Sequence, residues 1–205
     1  MDSLTASKMN DEAYSLLKQG NYAHSLAIYL ELEADGYGRL LSPNIGYIYD
    51  NMQPRDVHKA KYYYGRAVDE GDAYAMHSLG GLLLEEGDLN GAAHLYDLAV
   101  KSGNTDCCYP LYITLKRLGA TSDANAALDA AARHGDPFAI RDQSRRRLSG
   151  KDGFLNVFRG VAQYLGNIPA LTGAANEIYA RRTSKASDPG RTKYESRMIG
   201  NIAKD

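Results

Sequence analysis

The chain contains no tryptophan, only three phenylalanines and only two cysteines in 205 residues. Cys107 and Cys108 are adjacent, which suits neither a disulfide framework nor a zinc site with two-residue ligand spacing; they read as one thiol packed in a core as a small hydrophobe and one near the surface. No stretch supplies the ~20 predominantly apolar residues of a membrane span. The opening "MDSLTASKMNDEAYSLL" has no basic start followed by an apolar run, so no signal peptide is expected and the expected location is cytoplasmic.

Catalytic patterns are missing too. There is no phosphate-cradling glycine loop, metalloprotease helix or nucleophile elbow, and "GYG" at 36–38 has no third glycine and reads as a turn. The histidines His24, His58, His77, His94 and His134 are scattered, with no two at i, i+4 on one helix. His134 precedes a glycine at a helix end, where an imidazole suits the helix dipole. Asp69, Glu70, Glu85, Glu86 and Asp88 fall at helix ends and turns and read as solvated surface. The expectation is a protein that is not an enzyme and that carries no cofactor and no metal.

Charge is nearly balanced at −1 overall but is divided along the chain. Residues 1–132 hold 10 Lys/Arg against 18 Asp/Glu, and residues 133–205 hold 14 against 7. The two parts therefore face different surroundings, and docking of the basic part on the acidic part, in the same or another copy, is one way to meet this. No nucleic-acid-binding motif accompanies the basic charge, so nucleic acid is not the expected partner.

What the chain does have is a repeat. "AKYYYGRAVDEGD" (60–72), "AAHLYDLAVKSGN" (92–104) and "ANAALDAAARHGD" (124–136) align without gaps at a period of 32 residues. In each, an alanine (Ala60, Ala92, Ala124) is followed at +4 by a bulky residue (Tyr64, Tyr96, Leu128) and at +7 by alanine (Ala67, Ala99, Ala131). Those offsets share one face of an α-helix. A glycine closes each segment (Gly71, Gly103, Gly135), placed as a left-handed helix cap, and the Asp or Asn after it is placed to start the next helix. A degenerate earlier copy runs through Ser25, Tyr29, Leu32 and Gly36. Partner helices recur as "NIGYIY" (44–49), "SLGGLL" (78–83) and "PLYITL" (110–115), with turns at Gly87 and Gly119. The loop "DNMQPRDVHK" is two residues longer than its counterparts.

These residues resemble known repeat families. "AMHSLGGLL…GDLNGAAHLYDLAVKSGN" is similar to a Sel-like repeat, and "EAYSLLKQGNYAHSLAIYLELEADG" is closer to a tetratricopeptide repeat. The resemblance implies an all-α fold: an α-solenoid of about four helix-turn-helix repeats over residues 8–150, with a C-terminal helical cap or appendage. Small residues then mark where backbones approach, and Tyr and Leu fill the gaps between layers. Tyr112 departs from the pattern by standing where Gly46 and Gly80 stand, and the pattern fades after Ala139.

The resemblance also implies a non-catalytic scaffold or adaptor for protein–protein interaction. By the same analogy it includes bacterial immunity or regulatory proteins, whose acidic front would suit a basic toxin or effector. The first helix of each pair would line the concave face. Taking Gly46, Gly80 and Tyr112 as equivalent, that face holds Asn10, Tyr14 and Leu17, then Tyr47 and Asp50, then Tyr74, His77 and Leu84, then Tyr109 and Lys116. Thirteen of the 16 tyrosines lie at or before Tyr112; of Tyr62, Tyr63 and Tyr64, which point three ways round a helix, only part belongs to a core.

Composition changes near 150–153. Arg145, Arg146 and Arg147 read as the solvated end of the last repeat helix. Residues 151–182 follow as an amphipathic segment with Phe154, Phe158, Val161, Leu165 and Ile168 at helical spacing, divided at Pro169. It is a cap for the solenoid, a docking element for a partner, or a peripheral membrane contact. Residues 183–205 read as a flexible basic tail.

Overall fold

Aspartates start the helices. Asp2, Asp56, Asp72, Asp88 and Asp136 each accept a hydrogen bond from the backbone N–H three residues on, at 2.7–3.0 Å, satisfying a donor that the first turn leaves free. Glycines stop them. Gly87 (φ 86°) and Gly103 (φ 93°) take the left-handed conformation that folds the chain back toward the next helix.

The computed structural model describes residues 1–149 and 160–167. Those residues form α1 (Ser3–Lys18), α2 (Tyr22–Leu32), α3 (Gly38–Asn51), α4 (Val57–Asp69), α5 (Ala73–Glu86), α6 (Leu89–Lys101), α7 (Cys108–Arg117), α8 (Thr121–Arg133), α9 (Pro137–Leu148) and a short α10 over 160–167. There is no strand among the described residues. The helices pair as α1/α2, α3/α4, α5/α6 and α7/α8, and each second helix also packs on the first helix of the next pair. The connection from α2 to α3 differs from the others: a wide helical turn, Glu33–Tyr37, is broken by Gly36 (φ 92°) without a side-chain cap.

The repeat positions are the core. Ala60, Tyr64, Ala67, Ala92, Tyr96, Ala99, Ala124, Leu128 and Ala131 are all buried, as are Ser25, Tyr29 and Leu32 of the degenerate copy. Of the tyrosine triplet, Tyr63 and Tyr64 are buried and Tyr62 is exposed. One apolar cluster runs from α1 to α5 and a second from α5 to α9, with Val68 packed against both.

Within pairs, volume is traded across the interface. A Cβ on Gly46 would come within 2.8 Å of Tyr64 Cδ1, and one on Gly80 within 2.8 Å of Tyr96 Cε1. The tyrosine ring occupies the space the glycine leaves. Ala13 stands opposite Tyr29 in the same register, both buried. In the fourth pair the sizes reverse: Tyr112 replaces the glycine and Leu128 replaces the tyrosine, both buried in one cluster. The departure at Tyr112 thus moves the ring to the first helix and sets a smaller apolar side chain opposite it.

The period runs one step further than the residue pattern suggests. Adding 32 to Tyr112, Leu128 and Ala131 gives Ser144, Gly160 and Gln163, and these lie between α9 and α10. A Cβ on Gly160 would sit 3.0 Å from the Ser144 carbonyl oxygen. Gln163 Nε2 donates to Gln143 Oε1 at 2.8 Å, Arg147 donates to Gln163, and Asn167 Nδ2 donates to the Pro137 carbonyl at 2.8 Å. This layer is held by amides and a glycine where earlier layers use alanine and tyrosine. The boundary near 150–153, the tail 183–205 and the break at Pro169 lie outside the described residues.

The longer loop has a structural role. It carries Arg55, whose Nε donates to Asp50 Oδ1 at 2.7 Å and whose Nη1 donates to Glu85 Oε2 at 3.0 Å on the next pair. Lys61 reaches Glu86 at 2.7 Å. Glu85, Glu86 and Asp88 are exposed at a helix end and turn, as expected, and the first two also tie layers together while Asp88 caps α6. The three arginines lie in the last turn of α9, as expected, and Arg145 is exposed; Arg146 and Arg147 are instead half-buried, Arg146 bonding Asp129 at 2.9 Å and Arg147 bonding Gln163.

Candidate interaction surface

The expected concave row divides when its residues are located. Leu17, Tyr47, Asp50, Leu84 and Tyr109 are buried, a correction to their placement on an accessible face. A helical period identifies the inward side of one helix, but whether the next layer covers a given position depends on tertiary packing. Leu17 and Leu84 are core residues. Asp50 is held by Arg55. Tyr47 meets Tyr22 edge-on, with ring centroids 6.3 Å apart, and burial pushes its phenol well above the ordinary tyrosine range, with Tyr22 and Tyr74 adding to the effect.

Tyr109 is engaged by the following layer. Its hydroxyl donates to Asp142 Oδ2 at 3.0 Å, Phe138 stacks on its ring at 6.2 Å, and Arg141 pairs with Asp142. Burial raises its phenol pKa, as does the negative charge of Asp142. Burial of the Arg141 guanidinium is the largest single effect and disfavours its charge, but the hydrogen bond and negative charge of Asp142, together with Tyr109, outweigh it and the net shift is upward. Lys116 is exposed, its ammonium 5.9 Å from the Tyr112 ring centroid. The back half of the row is largely occupied with holding its own layers together.

The front half is different. Tyr14 on α1 is 46% exposed, with Lys18 Nζ 5.3 Å from its ring centroid, and Tyr74 on α5 is 41% exposed. Asn10, one turn before Tyr14 on α1, is half-buried, and His77 is half-buried with its ring 6.1 Å from that of Tyr96. Sequence reasoning missed Leu40 in the first turn of α3, which is 86% exposed. Leu40 stands six residues before Gly46 as Tyr74 stands six before Gly80, so the equivalence that found Tyr74 could have found it. Tyr14 lies one residue past Ala13, as Tyr47 lies one past Gly46. Asn44, on the same side of α3, donates to Tyr29 Oη at 3.1 Å.

Of the expected C-terminal docking residues, Val161 and Leu165 are 43% and 60% exposed on α10, on the side away from Gly160, Gln163 and Asn167. Phe154, Phe158 and Ile168 lie outside the described residues. No group of His, Cys, Asp and Glu among the described residues could hold a metal ion, and no helix among them is long and apolar enough to cross a membrane.

No protein-family model matches the chain, and no curated protein matches it in sequence. Solved structures do match in fold. One is c5321, a protective antigen present in uropathogenic Escherichia coli strains displaying an SLR fold: TM-score 0.60, 19% identity, 78% of this chain covered. The match spans 38% of that protein's chain. A second is MamA, at TM-score 0.62 and 16% identity over 78% of this chain and 96% of that one. A third is a Sel1 repeat protein from Oxalobacter formigenes, at TM-score 0.62 and 14% identity over 93% of this chain and 84% of that one. The fold is a Sel1-like helical-repeat solenoid.

Proposed function

We propose that this solenoid is a non-catalytic scaffold that holds a protein or peptide against the first-helix face of its front three pairs. The observation that supports this most is the exposure of Leu40 and Tyr74 at equivalent positions of successive first helices, with Tyr14 on the same side of α1. Large apolar and aromatic side chains set on a rigid layered frame are what interface hot spots are made of. The acidic balance of residues 1–132, 18 Asp/Glu against 10 Lys/Arg, supports a basic partner, because like charges suppress wrong encounters and opposite ones steer right ones. Neutralising a basic toxin or effector, as an immunity protein does, is the narrower form of this reading.

The test is site-specific photocrosslinking. A benzoylphenylalanine replacing Leu40 should yield one discrete adduct in native lysate that the same probe at the exposed Lys101 on α6 does not. Identical adduct patterns at the two sites would overturn the proposal.

A further inference from the structure

One buried polar group in the front half is left unserved. The hydroxyl of Tyr47 on α3 is buried without a hydrogen-bond partner among the described residues, although buried polar groups are nearly always bonded. The phenols gathered round it come from three other helices: Tyr22 at the start of α2, Tyr64 on α4 and Tyr74 at the start of α5. Burial above all, and then those neighbours, hold the Tyr47 phenol in its neutral form. A neutral phenol oxygen accepts as well as donates. Tyr74 is 41% exposed and Tyr22 is half-buried, so the cluster runs from a buried hydroxyl out to solvent on the first-helix face.

The rings indicate what the hydroxyl lacks. Elsewhere this chain covers aromatic rings with its own cations. Lys59 Nζ lies 4.9 Å from the Tyr49 centroid, Lys18 Nζ 5.3 Å from that of Tyr14, and the Arg66 guanidinium 5.5 Å from that of Tyr63. Among the described residues no lysine or arginine stands over Tyr22 or Tyr47. Those two rings meet edge-on, with centroids 6.3 Å apart, and the ring that gives its edge keeps its negative face out of that contact. The front of the chain is acidic, with 18 Asp/Glu against 10 Lys/Arg over residues 1–132, which disfavours an anion here and favours a cation. Of the two cationic side chains, arginine fits both features. Its planar guanidinium stacks on an aromatic face and still aims several N–H donors at oxygens beside it, whereas the lysine ammonium is a compact, strongly hydrated point charge.

We infer that Tyr22, Tyr47 and Tyr74 form a subsite for an arginine side chain of the partner, the guanidinium lying on a ring face and donating to the Tyr47 hydroxyl oxygen. The inference rests on the docking face proposed above and names the group that this face selects. Tyr74, at the exposed rim, turns aside to admit it. Tyr14 stays outside the subsite because Lys18 already covers its ring.

Tyrosine-ring NMR spectra of the full chain, titrated with Nα-acetyl-arginine amide, test it. The rings of Tyr22, Tyr47 and Tyr74 should shift together and saturate at millimolar concentration, while those of Tyr109 and Tyr112 stay fixed. The citrulline amide, of the same shape without the charge, should bind about tenfold more weakly. Tyr47→Phe keeps the ring and removes only the hydroxyl. It should weaken arginine binding about tenfold, and its melting temperature should not fall, since that hydroxyl has no partner to lose. Equal affinity for arginine and citrulline, affinity undiminished in Tyr47→Phe, or no shift at the three rings would overturn the inference. So would a preference for the lysine amide, or for the Nα-acetyl-glutamate amide, which would show that the hydroxyls await an acceptor. Arginine binding without a discrete adduct from benzoylphenylalanine at Leu40 would support the subsite and remove the docking face. An adduct at Leu40 without arginine binding would do the reverse.

Discussion

Tyr96 fills the space left by Gly80: a Cβ on the glycine would come within 2.8 Å of the ring's Cε1. The two residues sit on opposite helices of the third pair, and the same relation links Gly46 to Tyr64. Gly80→Ala should therefore cost about 1–3 kcal/mol by overpacking. Tyr96→Leu in that background should recover part of the loss, because the fourth pair combines a large first-helix residue with leucine. Urea unfolding of the two single variants and the double variant reads the coupling; strictly additive losses would contradict the volume trade.

Arg55 should act as a rivet between the second and third pairs. It touches Asp50 and Glu85 at once, and Asp50 is buried. Arg55→Ala leaves that carboxylate without its counter-charge and should lower stability by about 1–3 kcal/mol. Replacing both partners, Arg55→Met with Asp50→Leu, should cost less than Arg55→Ala alone, since no buried charge is then orphaned. Thermal melts of the two proteins check the order.

Alkaline pH should loosen the fold through buried groups that resist ionisation. Burial pushes the Cys107 thiol from 9.0 up to about 12 and the Tyr29 phenol from 10.0 up to about 12. In the unfolded chain both ionise at their ordinary values. Their stabilising contribution is therefore complete below about pH 9 and is lost progressively toward pH 12. A urea midpoint series from pH 8 to 11 should fall, and Cys107→Ala should flatten the part of the fall that begins near pH 9. In the native protein at pH 8, both thiols should be nearly inert to a thiol reagent and react on unfolding.

Tyr109→Phe separates packing from recognition. It removes the hydroxyl that donates to Asp142 at 3.0 Å and should cost about 1 kcal/mol of stability. Partner capture should be unchanged once the folded fraction is matched, because this side chain is buried between layers.

Much of the scaffold was legible in the sequence because its signal is local. The alanine, bulky residue, alanine ladder of Ala60, Tyr64 and Ala67 repeats at one spacing and needs no knowledge of the third dimension. The α9/α10 layer was not legible by the same route, since Ser144, Gly160 and Gln163 keep the spacing but abandon the residue types. Arg55 and Glu85 are 30 residues apart, and nothing in a linear pattern brings them together. On the candidate surface, Tyr14 and Tyr74 followed from helical geometry, but the burial of Tyr47 and Tyr109 did not. Their covering neighbours, Tyr22 and Phe138, belong to other helices. Leu40 was overlooked because its segment shows no repeat motif, although its offset from Gly46 marks it.

The central claim is that the front first-helix face binds a protein partner. Its most direct test compares quantitative affinity capture from native lysate by the unaltered chain and by Tyr14→Ser/Leu40→Ser/Tyr74→Ser, three exposed positions whose change should leave the melting temperature within about 2 °C. The expected result is a partner captured by the unaltered chain and reduced at least tenfold with the triple variant. Equal recovery of the same partner by both proteins would contradict the claim.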